Sequence, residues 1–189
     1  MVVTGTALLQ ARIVDARADG WVVTAEAEAL VLRLYEEEGR NLVRLARLFV
    51  DDVDAAEDLV QEAFIRLARH AHRVETERAP AYLRSIVLNL ARDHNRRGLV
   101  SLRHHAAAGR EVDAPEVGPE RLVADERQAA VLEAVRGLPV RQRDCVVLRY
   151  FQELGIDDIA LTLGVSPNSV KTHLKRALAT LSSRLGEPL

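Results

Sequence analysis

The sequence predicts an all-α protein: two small helical domains joined by a flexible linker, the second ending in a helix-turn-helix. Apolar residues recur at i, i+3, i+4 and i+7, as in Leu42, Leu45, Ala46 and Phe49, the spacing that gives one helix face to a core. Alternating strand patterns are nearly absent, and the aromatic residues that favour sheets make up only 4% of the chain. Between the two periodic stretches lies a segment where the stripe lapses and prolines and glycines gather.

A chain of 189 residues suffices for one ordinary domain or two small ones. Hydrophobic residues at 48% and charged residues at 29% exclude a disordered chain and a membrane protein. No apolar run approaches the roughly 20 residues that span a bilayer. The first ten residues have no basic region ahead of their short apolar stretch, so a secretory signal is not expected. The single cysteine, Cys145, allows no intrachain disulfide and, beside Val146 and Val147, is expected in a core. A cytoplasmic protein is expected.

Along the chain, residues 1–23 form an N-terminal extension in which Trp21 has the size to pack on the first domain. That domain is placed at 24–98. After the stripe ending at Phe49 come Ala56, Leu59, Val60, Ala63, Phe64 and Leu67, then Leu83, Ile86, Val87 and Leu90. The linker is placed at 99–121, where Pro115, Pro119, Gly109 and Gly118 argue against a continuous helix. The second domain, at 122–186, ends in a stripe of Val170, Leu174, Ala177, Leu178, Leu181 and Leu185.

Charge is distributed in blocks around a formal net value of −2. Asp51, Asp52, Asp54, Glu57, Asp58 and Glu62 form an acidic stretch, and Arg84 to Arg110 a basic one opposed by Asp93. Glu111 to Glu120 is acidic, and Lys171 to Arg184 is purely basic. Alternating blocks suit a protein with more than one kind of partner. Asp51 and Asp52 are also explained by the favourable placing of carboxylates at a helix start.

The C-terminal motif is read from its punctuation. Ile159, Ala160 and Leu163 give a short helix an inner face, and Gly164 ends it in the left-handed conformation open to glycine. Val165 plugs the turn, Ser166 caps the next helix, and Pro167 takes its first position. Burial of Val170, Leu174 and Ala177 leaves Asn168, Ser169, Lys171, Thr172, His173, Lys175 and Arg176 on or near the outer surface. Donors, hydroxyls and cations without a carboxylate suit a helix that enters a major groove. A plain hairpin with a basic solvent face is the bland alternative.

The stretch Leu138-Pro139, Arg141-Gln142 and Val146 to Phe151, with the helix-turn-helix after it, resembles region 4 of bacterial sigma factors. Asp54 to Phe64 resembles the core-polymerase-binding segment of sigma region 2, and Pro80 to Arg97 the promoter-reading helix that comes next in that region. Two domains and a short linker are similar to the extracytoplasmic-function class of the sigma-70 family. Gly155 and Asp158 stand where the family often has Ser or Thr and then Glu, which predicts a weaker cap there. Tyr82 replaces the family's usual tryptophan after the proline of region 2.

The resemblance implies that Asp54, Glu57, Asp58, Gln61 and Glu62 meet core RNA polymerase, Gln61 being the residue helix stability explains least. It implies that Arg73, Tyr82, Asn89, Arg92, Asp93, Arg96 and Arg97, with the loop from His72 to Glu77, hold the start-site-proximal element as a non-template single strand. Asp93 has the alternative role of orienting an arginine. The second domain is implied to hold the distal element as duplex, with Arg141 and Arg143 on phosphates and Asn168, Ser169, Lys171, Thr172, His173, Lys175 and Arg176 reading or positioning. An anti-sigma factor is a further partner suggested by the class. The competing reading is a helix-turn-helix activator or response-regulator output protein that replaces no polymerase subunit. No nucleophile–base pairing, metal-ligand spacing or glycine-rich phosphate loop stands in the sequence, so neither an enzyme nor a cofactor is expected. A calcium loop fails because Ala56 and Glu57 fill the next ligand and glycine positions after Asp52 and Asp54.

Overall fold

The computed structural model describes residues 24–50, 52–106 and 130–186, with backbone alone over 95–106. The extension with Trp21, Asp51, and most of the segment read as linker lie outside the described residues, as do the side chains of Arg96 and Arg97. All regular structure among the described residues is helical.

Helix α1 spans Ala25–Arg47, its first turn closed by the Thr24 hydroxyl, which accepts from Ala27 N at 3.2 Å. Helix α2 spans Val53–His70 and starts on Asp52, whose carboxylate accepts from Asp54 N at 3.3 Å and Ala55 N at 3.2 Å. That cap confirms Asp52 as a helix-start carboxylate. Two 3₁₀ turns, Ala71–Arg73 and Thr76–Arg78, lead into helix α3, Ala79–Ala106. These three helices pack on one another, with the apolar stripes turned inward. Phe64 is fully buried at the centre and meets the edge of Tyr35 with ring centroids 5.1 Å apart.

Helix α3 runs past the boundary set at residue 98 and into the stretch read as linker. Gly98 is the weakest helix former there, and a single glycine costs about 1 kcal/mol relative to alanine rather than ending a helix. The nearest proline, Pro115, lies beyond the last helical residue.

The second half holds a helical segment at 130–136, termed α4, then α5 at Val140–Val146. This continues as one π-helical stretch, Val147–Phe151. Helices α6, Ile156–Leu163, and α7, Pro167–Leu185, complete it. Helix α7 packs against α5 and α6 over Val170, Leu174, Ala177 and Leu181. Cys145 is buried in this core, and burial pushes its thiol pKa up to about 11. The two halves touch, because α6 lies against α3.

Candidate nucleic-acid interface

The turn between α6 and α7 follows from three residues. Gly164 takes φ 63° and ψ 39°, and its N–H returns to the Ala160 carbonyl. Ser166 is extended at φ −73° and ψ 152°, and its hydroxyl accepts from Ser169 N at 3.1 Å. Pro167 then occupies the first turn of α7. At the start of α6 no side chain caps the helix, as the Gly155 substitution implies.

Helix α7 turns Val170, Leu174 and Ala177 inward and leaves Asn168, Lys171, Thr172, Lys175 and Arg176 exposed. Ser169 and His173 are half-buried at the margin of that face. The Thr172 hydroxyl donates to the Asn168 carbonyl at 2.9 Å, which fixes the side chain against the helix while leaving oxygen lone pairs outward. No carboxylate occurs from Gly164 through Gly186, so an approaching phosphate meets only cations and neutral dipoles.

Arg141 and Arg143 do not share that face. Arg141 Nη1 donates to the Leu163 carbonyl at 3.3 Å, tying α5 to the end of α6. Arg143 Nη1 donates to the Arg136 carbonyl at 3.3 Å, and its guanidinium carbon lies 5.0 Å from the centre of the Phe49 ring in the first half. Burial lowers the Arg143 pKa, opposed in part by the charge of Asp144.

In the first half, Tyr82 packs its ring on the core and, with Arg73, Val74, Arg78 and Ser85, lines an open cavity of about 490 Å³. Arg73 is exposed, and its Nε donates to His72 Nε2 at 3.0 Å. Asn89 and Asp93 are exposed on α3, one turn apart. Arg92 donates through Nη1 to Asn89 Oδ1 at 3.0 Å and through Nη2 to Asp144 Oδ2 at 2.9 Å. Asp144 is fully buried; burial raises its pKa, opposed by the charges of Arg92, Arg143 and Arg141.

The acidic face of α2 is separate from both. Asp54, Glu57 and Asp58 are exposed, whereas Gln61 and Glu62 are half-buried, with Glu62 pairing to Arg66 at 2.8 Å. No grouping of three or more metal-ligating side chains occurs among the described residues.

Sequence reasoning did not single out Glu38, which pairs with Arg84 at 2.7 Å between α1 and α3 in a largely buried position. It also passed over Asp144 and the partnership of Phe49 with Arg143. These contacts join residues far apart in sequence, and no local pattern announces them.

Two family models match the chain: sigma-70 region 2 over residues 34–98 and sigma-70 region 4 over residues 128–181. The chain is 33% identical to the extracytoplasmic-function RNA polymerase sigma factor BldN of Streptomyces coelicolor over 158 residues, covering 81% of this chain and 59% of BldN. It is 34% identical to the sigma factor SigM of Mycobacterium tuberculosis over 155 residues, 82% of this chain and 76% of SigM. Its fold is similar to that of CnrH, solved in complex with the cytosolic domain of CnrY. The TM-score is 0.61 at 23% identity, covering 96% of this chain and 97% of CnrH.

Proposed function

Because the chain belongs to the sigma-70 family, with its extracytoplasmic-function relatives, we propose that it binds core RNA polymerase, directs it to specific promoters and helps open the DNA. One observation carries this reading over the activator alternative. The helix-turn-helix shares its chain with a second helical unit that matches region 2 and bears an acidic face of its own. An activator that replaces no polymerase subunit has no need of that unit.

In this proposal the exposed face of α7 enters the major groove of the distal element. Lys171, Lys175 and Arg176 hold phosphates, while Asn168 and Thr172 reach base edges. The cavity beside Tyr82, with Arg73 at its edge, receives an unpaired base of the proximal element. Protein contacts to an extruded base offset an unstacking cost of a few kcal/mol. Arg96 and Arg97 add phosphate contacts along the single strand. The acidic face of α2, centred on Gln61, docks on the polymerase. The chain acts by binding and has no chemistry of its own; no described helix is long and apolar enough to cross a membrane. It would work in the cytoplasm, with an anti-sigma factor as a further partner.

Affinity capture with purified core polymerase, followed by transcription from a promoter selected with the reconstituted enzyme, tests the reading. Capture together with specific initiation is expected. Specific promoter binding without any association with core would favour the activator.

A further inference from the structure

Arg184, near the far end of the recognition helix, is spent on protein rather than on DNA. Its Nη1 donates to the Ala134 carbonyl at 3.0 Å and its Nη2 to the Gly137 carbonyl at 3.2 Å. Both acceptors lie at the C-terminal end of α4, where helix carbonyls run out of intrahelical partners. A planar guanidinium can reach two such acceptors at once. The Arg143 contact to the Arg136 carbonyl grips the same end from α5. Gly137 leaves the space that Arg184 fills. Its backbone lies outside the left-handed region, so its conformation does not call for glycine. A Cβ there would instead run into Arg184 Nη1.

We propose that Arg184 and Gly137 form a clamp that sets the angle of the recognition helix to α4, and with it the spacing the chain accepts between the two promoter elements. The inference rests on the sigma-factor reading above. The chain enters the second half through α4, which makes that helix the base from which α7 projects. Ala134, Val135 and Leu138 hold α4 to the core, but apolar burial has no direction, and helix crossing angles scatter by about 15–20°. Asn168, at the DNA-facing end of α7, stands sixteen residues before Arg184, about 24 Å along the helix. A rotation of about 8° at the clamp therefore moves the recognition end by about 3.4 Å, one base-pair step. Packing alone tolerates more than that. A pair of directional hydrogen bonds at the far end of the lever narrows it. Arg184 is exposed, so the clamp adds direction and little stability.

The test is transcription by core polymerase and the full chain on templates that carry one fixed pair of elements and differ only in spacer length. A recognition helix displaced by one step forfeits at least one base contact, so wild type should favour its best spacer about fivefold over spacers one base pair longer or shorter. Gly137→Ala pushes the flexible guanidinium aside while keeping its charge, and Arg184→Ala removes it. Each should reduce the preference to about twofold or less. Arg184→Lys, whose ammonium lacks the two-pronged fork, should fall between wild type and Arg184→Ala. The ratio between spacers does not depend on the fraction of folded chain, so a variant that only loses stability keeps the wild-type profile. A flat wild-type profile, or an unchanged one in Gly137→Ala or Arg184→Ala, would overturn the clamp. Full rescue by Arg184→Lys would also overturn it, because charge alone would then suffice. Failure of wild type to initiate with core on any spacer would overturn instead the sigma-factor reading, and the inference with it.

Discussion

Arg92 and Asp144, fifty-two residues apart, form the buried ion pair that joins the two halves of the chain, Nη2 to Oδ2 at 2.9 Å. Asp144 is inaccessible to water, whereas the Arg92 side chain keeps 23% of its exposure. The carboxylate therefore bears most of the desolvation cost, and removing its charge should alter both stability and the relation between the halves.

The sign of the pH effect is set by the direction of the shift. Burial raises the Asp144 pKa above its usual 3.8 and outweighs the pull of Arg92, Arg143 and Arg141. The folded chain thus holds the proton more tightly than the unfolded one. The resulting stabilisation is complete below the unfolded value and is lost as pH rises through the folded value. Wild type should therefore lose stability relative to Asp144→Asn as pH rises from below 3.8, the usual carboxylate value, through the higher value of the folded chain. Urea unfolding of both chains across that range measures this, and a wild-type advantage that grows with pH would contradict it.

The cap at the recognition helix has a separable effect. Ser166→Ala removes the acceptor for Ser169 N and should cost about 1 kcal/mol of stability. Thermal unfolding should show the loss in the second half with core binding retained. No change in the unfolding midpoint would mean that water replaces the hydroxyl at no cost.

The punctuation of the helix-turn-helix was legible because each signal is local. Gly164 needs positive φ, Ser166 caps within three residues, and Pro167 fits the first turn. The core stripes were legible for the same reason, and Phe49, Phe64, Leu83 and Val170 are all buried. Local signals fail where the backbone departs from helical period. The π stretch Val147–Phe151, which leaves Tyr150 and Phe151 exposed, and Glu153 at φ 55° have no sequence warning. They also fail for contacts between halves. The family resemblance implies phosphate roles for Arg141 and Arg143, but no local signal reveals that Arg141 reaches the end of α6 or that Arg143 lies over the Phe49 ring.

The recognition face predicts a change in salt dependence. Lys175 is exposed on α7 with no carboxylate on that helix. Lys175→Ala should weaken binding to related promoter sites nearly uniformly. It should also reduce the slope of log affinity against log salt by about 1. Fluorescence anisotropy of the polymerase-bound protein on a duplex distal element measures the slope. An unchanged slope would remove Lys175 from the phosphate contacts.

The acidic face predicts a loss confined to polymerase binding. Gln61 is half-buried on α2 beside exposed Asp54, Glu57 and Asp58. Gln61→Ala should weaken core affinity by about 1 kcal/mol, roughly fivefold. The helix content of the variant should match wild type. Full core affinity in an equilibrium titration would move the docking site elsewhere on the chain.

Transcription by core polymerase and the full chain over a randomised promoter library asks whether the two halves read one promoter together. Initiating templates should share two sequence blocks at one fixed spacing, one read as duplex and the other as opened strand. Templates sharing a single block, blocks at unrestricted spacing, or no chain-dependent initiation would contradict that joint reading.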